Sequence, residues 1–204
     1  MARIRKNIFF AFRLAVTLLC LCGLSPDPDF FSKRTAPPVP ANQTRIFIWK
    51  SRYLLAVYQG DKPLKSYRAV FGGGYQDGDK QAMGDRRTPE GEFYICTMNH
   101  SKRFYKFMGL SYPGLKHAAY GLERNIISPE EYTLIQKAIT ERQQPPWETS
   151  LGGAVGIHGR MLKNPEAARS SSQNWTDGCI ALDNADVDEI YSMVSLGTPV
   201  TILP

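Results

Sequence analysis

Histidine and cysteine are scarce in this chain of 204 residues, which holds three of the first and four of the second. That scarcity excludes much. No Cys-x-x-Cys or His-x-x-x-His pair occurs, so the usual spacings of a structural or catalytic zinc site are missing. His158, Cys179, Asp177 and His117 can be assembled on paper into a metal set, but nothing in their spacing asks for one, and no cofactor is implied. Gly72-Gly73-Gly74 supplies close approach or positive φ, yet it lacks the strand–loop–helix setting of a phosphate cradle. Basic residues interleaved with aromatics are also wanting. Lys102, Arg103 and Lys106 beside Phe104, Tyr105 and Phe107 come nearest, and a solvated face explains them as well, so no nucleic-acid partner is expected.

The cationic excess is shallow. The formal charge is +6, but Arg3, Arg5, Lys6 and Arg13 belong to the leader, and the chain after residue 25 carries only +2. Those basic residues open an apolar run from Ile8 to Leu24, interrupted by Arg13 and Thr17. Its uninterrupted part, Leu14 to Leu24, is short beside the roughly 20 apolar residues of a membrane span. Residues 1–25 therefore read as a signal peptide, with a retained N-terminal membrane anchor as the alternative. Cys20 and Cys22 follow bulky Leu19 and Leu21, a poor setting for lipid attachment. Residues 26–43, with Pro26, Pro28, Pro37, Pro38 and Pro40, form an extended linker. The expected domain is 44–204.

Within it the pattern is mostly that of short strands: Arg45–Lys50, Tyr53–Tyr58, Lys65–Phe71, Gly91–Met98 and Val200–Leu203. Ser128-Pro129-Glu130-Glu131 is a capping box with proline in the first turn, and it predicts a helix to about Gln143, stopped by Pro145-Pro146. A second helix is predicted over Asn184–Met193, with Asn184 as its cap. A helical turn near Pro165–Ala168 is also expected. Together these predict a mainly β fold, a sandwich or barrel with a few short helices.

What the chain does offer is one histidine and one glycine-flanked cysteine, in Gly156-Ile157-His158-Gly159 and Trp175-Thr176-Asp177-Gly178-Cys179-Ile180-Ala181. A lone cysteine or histidine is more often a packing group than a catalyst. Here a small apolar run leads into His158, and Cys179 sits at a turn before a strand. An imidazole that takes the thiol proton makes the sulfur a nucleophile. A Cys96–Cys179 disulfide would consume that nucleophile, so Cys96 is read as a reduced strand residue.

His-Gly, a spacer, then Thr-x-Gly-Cys-Ile resembles the signature of the L,D-transpeptidases (YkuD-type domain). The segment Arg87-Thr88-Pro89-Glu90-Gly91-Glu92-Phe93-Tyr94-Ile95 resembles that family's Thr-Pro-x-Gly-x-Phe-x-Ile, and the strands from Arg45 to Gly72 match in order. The resemblance implies a YkuD-like β-sandwich. It also implies a Cys179 nucleophile, His158 as proton donor and acceptor, and peptidoglycan stem peptides as substrate. An amine acceptor, possible on a wall-anchored protein, would resolve the thioester and cross-link or anchor material to the wall. Backbone N–H groups of Gly178 and Cys179 are expected to hold the oxyanion, with no cationic side chain at hand. Gly159, Thr176, Asp177 and Tyr112 are candidates for the substrate cleft, and residues 100–125, with His100, His117 and Tyr120, for its rim. Gly159 or a residue near Trp175 could orient the imidazole, while Thr176 and Asp177 read more readily as turn formers. Many members carry arginine where this chain has Ala181, and Asp177 also departs from them. These departures leave two alternatives open: a hydrolase (carboxypeptidase or amidase) on the same scaffold, and a non-catalytic wall-binding module.

Overall fold

The computed structural model describes residues 42–161 and 174–204. The leader, nearly all of the proline-rich linker and the turn expected near Pro165–Ala168 lie outside the described residues. Among those described, no helix is long and apolar enough to cross a membrane.

The fold is mainly β, as the alternation predicts. The described residues form eight strands: β1 (Thr44–Trp49), β2 (Leu54–Gln59), β3 (Lys62–Arg68), β4 (Gly91–Asn99), β5 (Phe107–Leu110), β6 (Gly156–His158), β7 (Ile180–Ala181) and β8 (Pro199–Leu203). They join edge to edge in the order β3-β2-β1-β8-β4-β5-β6-β7. Neighbours are antiparallel except β1 with β8 and β6 with β7, which are parallel. The chain closes β1 onto its own last strand, so the first and last elements share the core. Inward residues Ile46, Ile48, Leu55, Val57, Ile95, Met108, Ile157, Ile180, Val200 and Ile202 fill it and are almost wholly buried.

Among the described residues three α-helices flank the sheet: α1 (Leu115–Glu123), α2 (Pro129–Thr140) and α3 (Asn184–Met193). The capping box of α2 forms in full. Ser128 Oγ accepts the Glu131 amide at 3.2 Å, and Glu131 Oε2 accepts the Ser128 amide at 2.8 Å. The helix ends at Thr140, three residues before the expected stop, with Ile135 buried against Ala118, Ile127 and Leu151. Helix α3 has the expected span, but its cap residue is Asp183. Asn184 Oδ1 is spent elsewhere, accepting the Arg160 amide at 2.9 Å. Helix α1 and strand β5 both fall within 100–125, a segment for which the family resemblance predicts a cleft rim and the sequence pattern no regular element. Both are held by long-range partners: α1 by its packing on α2, and β5 by strands β4 and β6 on either side.

Candidate active site

Two short parallel strands place the histidine and the cysteine. The register pairs Ile157 with Ile180 and His158 with Ala181. Opposed residues in a sheet share a face, and successive residues alternate. Since Ile157 and Ile180 point into the core, His158 and the residue just before β7, Cys179, face the other way. There both line a cleft of about 780 Å³. Position 156 holds glycine for a steric reason: a Cβ on it would meet the Phe107 ring at 2.5 Å and the Met108 carbonyl at 2.6 Å.

The hydrogen bonds define the resting state. His158 Nδ1 lies 2.6 Å from the Gly159 carbonyl. A carbonyl only accepts, so Nδ1 carries the proton and the neutral ring keeps its lone pair on Nε2. That Nε2 is buried and has no partner among the described residues. The Cys179 thiol donates to the Ala154 carbonyl at 3.6 Å, and engaging the imidazole requires it to give up that bond. Phe104 stacks on the imidazole at 3.9 Å between centroids and 20°, and Trp175 meets it edge-on at 5.8 Å.

Burial sets the charge of both groups. It pulls the His158 pKa down to about 4, with Arg103 adding to the fall and the Gly159 bond opposing it. It pushes the Cys179 thiol up to about 11. The Asp177 charge pushes the same way, against a Gly156 backbone bond and the charges of Lys80 and Arg103. The sulfur is partly open to the cleft, yet protein surrounds it on most sides. At neutral pH the pair is thiol and imidazole, both uncharged. They are an acid and a base lining one cleft, with no hydrogen bond between them in this resting state.

The model of the L,D-transpeptidase catalytic domain (YkuD) matches residues 43–202. The chain belongs to that family. No curated protein matches it in sequence. Among solved structures it is similar to the helical cell shape determining protein Pgp2 from Campylobacter jejuni, at 18% identity and a TM-score of 0.52 over 78% of this chain and 47% of that one. The K307A mutant of Pgp2 gives 19% and 0.54 over 80% and 48%. An L,D-transpeptidase from Mycobacterium smegmatis gives 12% and 0.46 over 79% and 59%. The likeness is one of fold, and this chain spans roughly half the length of these chains.

Against the L,D-transpeptidase motif, the expected residues fall in different places. Gly159 is in the site through its carbonyl. Thr176 is a turn former: its hydroxyl donates to the Cys179 carbonyl at 2.6 Å and accepts the Gly178 amide at 3.2 Å. That second bond corrects the expectation for the oxyanion, because the Gly178 N–H is already engaged. The Cys179 amide has no such partner among the described residues. Asp177 is exposed at the cleft mouth, 3.5 Å from Arg86 Nε. Tyr112 is not in the cleft: its ring is fully buried and its hydroxyl donates to the Leu151 carbonyl at 3.0 Å. Of the proposed rim, His117 is buried against Asp79 at 3.2 Å, and Tyr120 reaches Gln81 at 3.1 Å. His100 lies instead beside the Tyr191 ring, 6.3 Å away. None of the three lines the cleft. Cys96 is free, half-buried and pushed up to about 11 by burial, as a structural thiol should be.

Arg103, Phe104 and Phe107, within the segment 100–125 expected at the rim, do line the cleft; the wall residues outside that expectation are Trp147 and the cations Lys80 and Arg86. The aromatic run around Phe104 was visible as a pattern, but a solvated face accounted for it equally well. The cations correct the expectation that none is at hand. Gly72 now has its reason. A Cβ there would meet the Arg86 carbonyl at 2.1 Å and Gly178 Cα at 2.9 Å, so glycine lets the 85–87 segment close on the cysteine turn.

Proposed function

We propose that this chain is a cell-wall cysteine acyltransferase acting on peptidoglycan stem peptides outside the cytoplasm. Cys179 Sγ passes its proton to His158 Nε2 and attacks a peptide carbonyl carbon, and the carbonyl π pair moves to oxygen. When that tetrahedral anion collapses, the C–N bond breaks, the leaving amine takes the proton from His158, and a thioester remains on Cys179. An amine acceptor, on a second stem peptide or a wall-anchored protein, then attacks the thioester carbonyl and loses a proton to His158; the C–S bond breaks, the Cys179 sulfur takes that proton, and a new amide leaves. The Cys179 amide is the nearest backbone donor for the oxyanion, and removing one such donor typically costs about 10²–10³ in rate. The observation that carries this reading is the uncharged His158–Cys179 pair in one cleft, with Nε2 unpartnered and its tautomer set by Gly159.

The second reading is hydrolysis on the same scaffold, with water as acceptor. It draws on Ala181, which is buried and supplies no charge. Intact-protein mass after reaction with a defined tetrapeptide muropeptide tests both. Wild-type protein should gain the acyl mass at Cys179, and Cys179→Ala should gain none. New cross-links among the products support transfer, and shortened peptides support hydrolysis. Normal turnover by Cys179→Ala would end both readings, and binding to sacculi with no acylation would leave the wall-binding module.

A further inference from the structure

The cleft contains a buried cation that the mechanism above does not use. Lys80 is 4% exposed, and it lines the same cleft as Cys179. Its Nζ donates to Asp85 Oδ1 at 2.7 Å and to the Ala82 carbonyl at 3.0 Å. Asp85 is itself held fast, accepting the amides of Gln81 at 2.7 Å, Ala82 at 3.1 Å and Arg87 at 3.0 Å. Burial works against that carboxylate, but the bonds from Lys80 and the three amides outweigh it and keep its pKa below the usual range. The ring of the buried Tyr112 lies 6.0 Å from Nζ. The ammonium is therefore fixed by a built socket.

The socket opens toward the nucleophile turn. Nζ is 3.8 Å from where a Cβ on Gly178 would stand, and Gly178 has no side chain to intervene. An ammonium has three N–H groups, and two have protein acceptors. Ala181 leaves no cation two places after the sulfur.

We propose that Lys80 is a third catalytic residue, whose remaining N–H donates to the anionic oxygen formed when Cys179 attacks a carbonyl. It keeps its proton throughout. The thiol proton still goes to His158 and on to the leaving amine, so the atom balance of the reaction is unchanged. A buried cation facing the new charge is worth more than it would be in water, because little solvent screens it. This inference rests on Cys179 being the nucleophile.

Single-turnover acylation of the full chain by a defined tetrapeptide muropeptide tests it, read beside KM and Tm. Lys80→Met should slow acylation by about 10²–10³ with KM little changed, and Lys80→Arg should recover much of the rate. A folded Lys80→Met chain that acylates at the wild-type rate overturns the proposal. So does a loss carried entirely by KM, or an Arg variant as slow as the Met one. Should Lys80→Met fail to fold because Asp85 is left unpaired, Lys80→Met/Asp85→Asn removes both charges together. That variant must show the same slow acylation, and a full rate there refutes the role. Failure of the wild type to acylate at all is a distinct outcome, which removes the nucleophile reading and this proposal with it.

Discussion

Replacing Gly159 with alanine probes whether its carbonyl sets the imidazole. A Cβ at this position would stand 2.5 Å from Asn184 Oδ1 and 2.8 Å from Tyr105 Cβ, closer than non-bonded carbon tolerates. Asn184 does not retreat freely, because its Oδ1 accepts the Arg160 amide at 2.9 Å. The strain therefore passes into the backbone of Gly159, whose carbonyl accepts Nδ1–H at 2.6 Å. Overpacking of this kind costs about 1–3 kcal/mol. In a domain of this size each kcal/mol lowers Tm by about 2–4 °C. A displacement on the order of 1 Å near the reacting groups costs about 10² in rate. Gly159→Ala should thus melt several degrees lower and turn over about a hundredfold more slowly, as read by calorimetry and by muropeptide kinetics. Asn184→Ala added to it removes the nearest obstacle, and the pair should couple by about 0.5–3 kcal/mol. Wild-type Tm and kcat in Gly159→Ala would refute the reasoning, and strict additivity in the double variant would clear Asn184 as the obstacle.

Three further measurements follow from the buried imidazole. The rate of Cys179 acylation should fall as pH drops toward about 4, where His158 takes up a proton and loses its capacity as a base. An acid limb near the ordinary histidine value of about 6.5 would contradict the burial. Stability should fall over the same window, from about pH 6.5 to 4, because the unfolded chain binds a proton at position 158 that the folded chain refuses. The loss approaches about 3 kcal/mol below that window; urea titrations at pH 7 and pH 4 should show it in the wild type, and less of it in His158→Gln. Phe104→Ala removes the ring stacked 3.9 Å from the imidazole and admits water. Its acid limb should move up toward 6.5, and an unmoved limb would show that the ring does not shield the base.

The parts of this fold that were legible beforehand are those whose hydrogen bonds are local. Ser128 and Glu131 cap α2 within one turn of chain, so their identities suffice. The strands around Ile46, Val57 and Phe93 declare themselves by alternation, although β3 begins at Lys62 rather than Lys65. The β2–β3 register shifts between Val57 and Tyr58, which single-strand alternation cannot report. Asn184 fits a cap by residue type, yet the amide of Arg160, just after β6, takes its oxygen. Tyr112 is expected at the cleft only from the family resemblance, which puts the segment before the His-Gly strand at the substrate. Its burial against Leu151 depends on contacts from a distant segment.

Residue identity and order carry the resemblance to the family, which the family model bears out, and they single out Cys179 and His158 as the candidates for chemistry, because the His-Gly and Thr-x-Gly-Cys-Ile motifs are local in sequence. Their resting state belongs to the assembled sheet. The β6–β7 register turns both to one face, packing by Phe104 and Trp175 strips water from the imidazole, and loop 79–87 carries a buried ammonium to the same cleft. Desolvation and the approach of charges depend on the atoms that surround a group in space, and folding draws those from positions far apart in the chain.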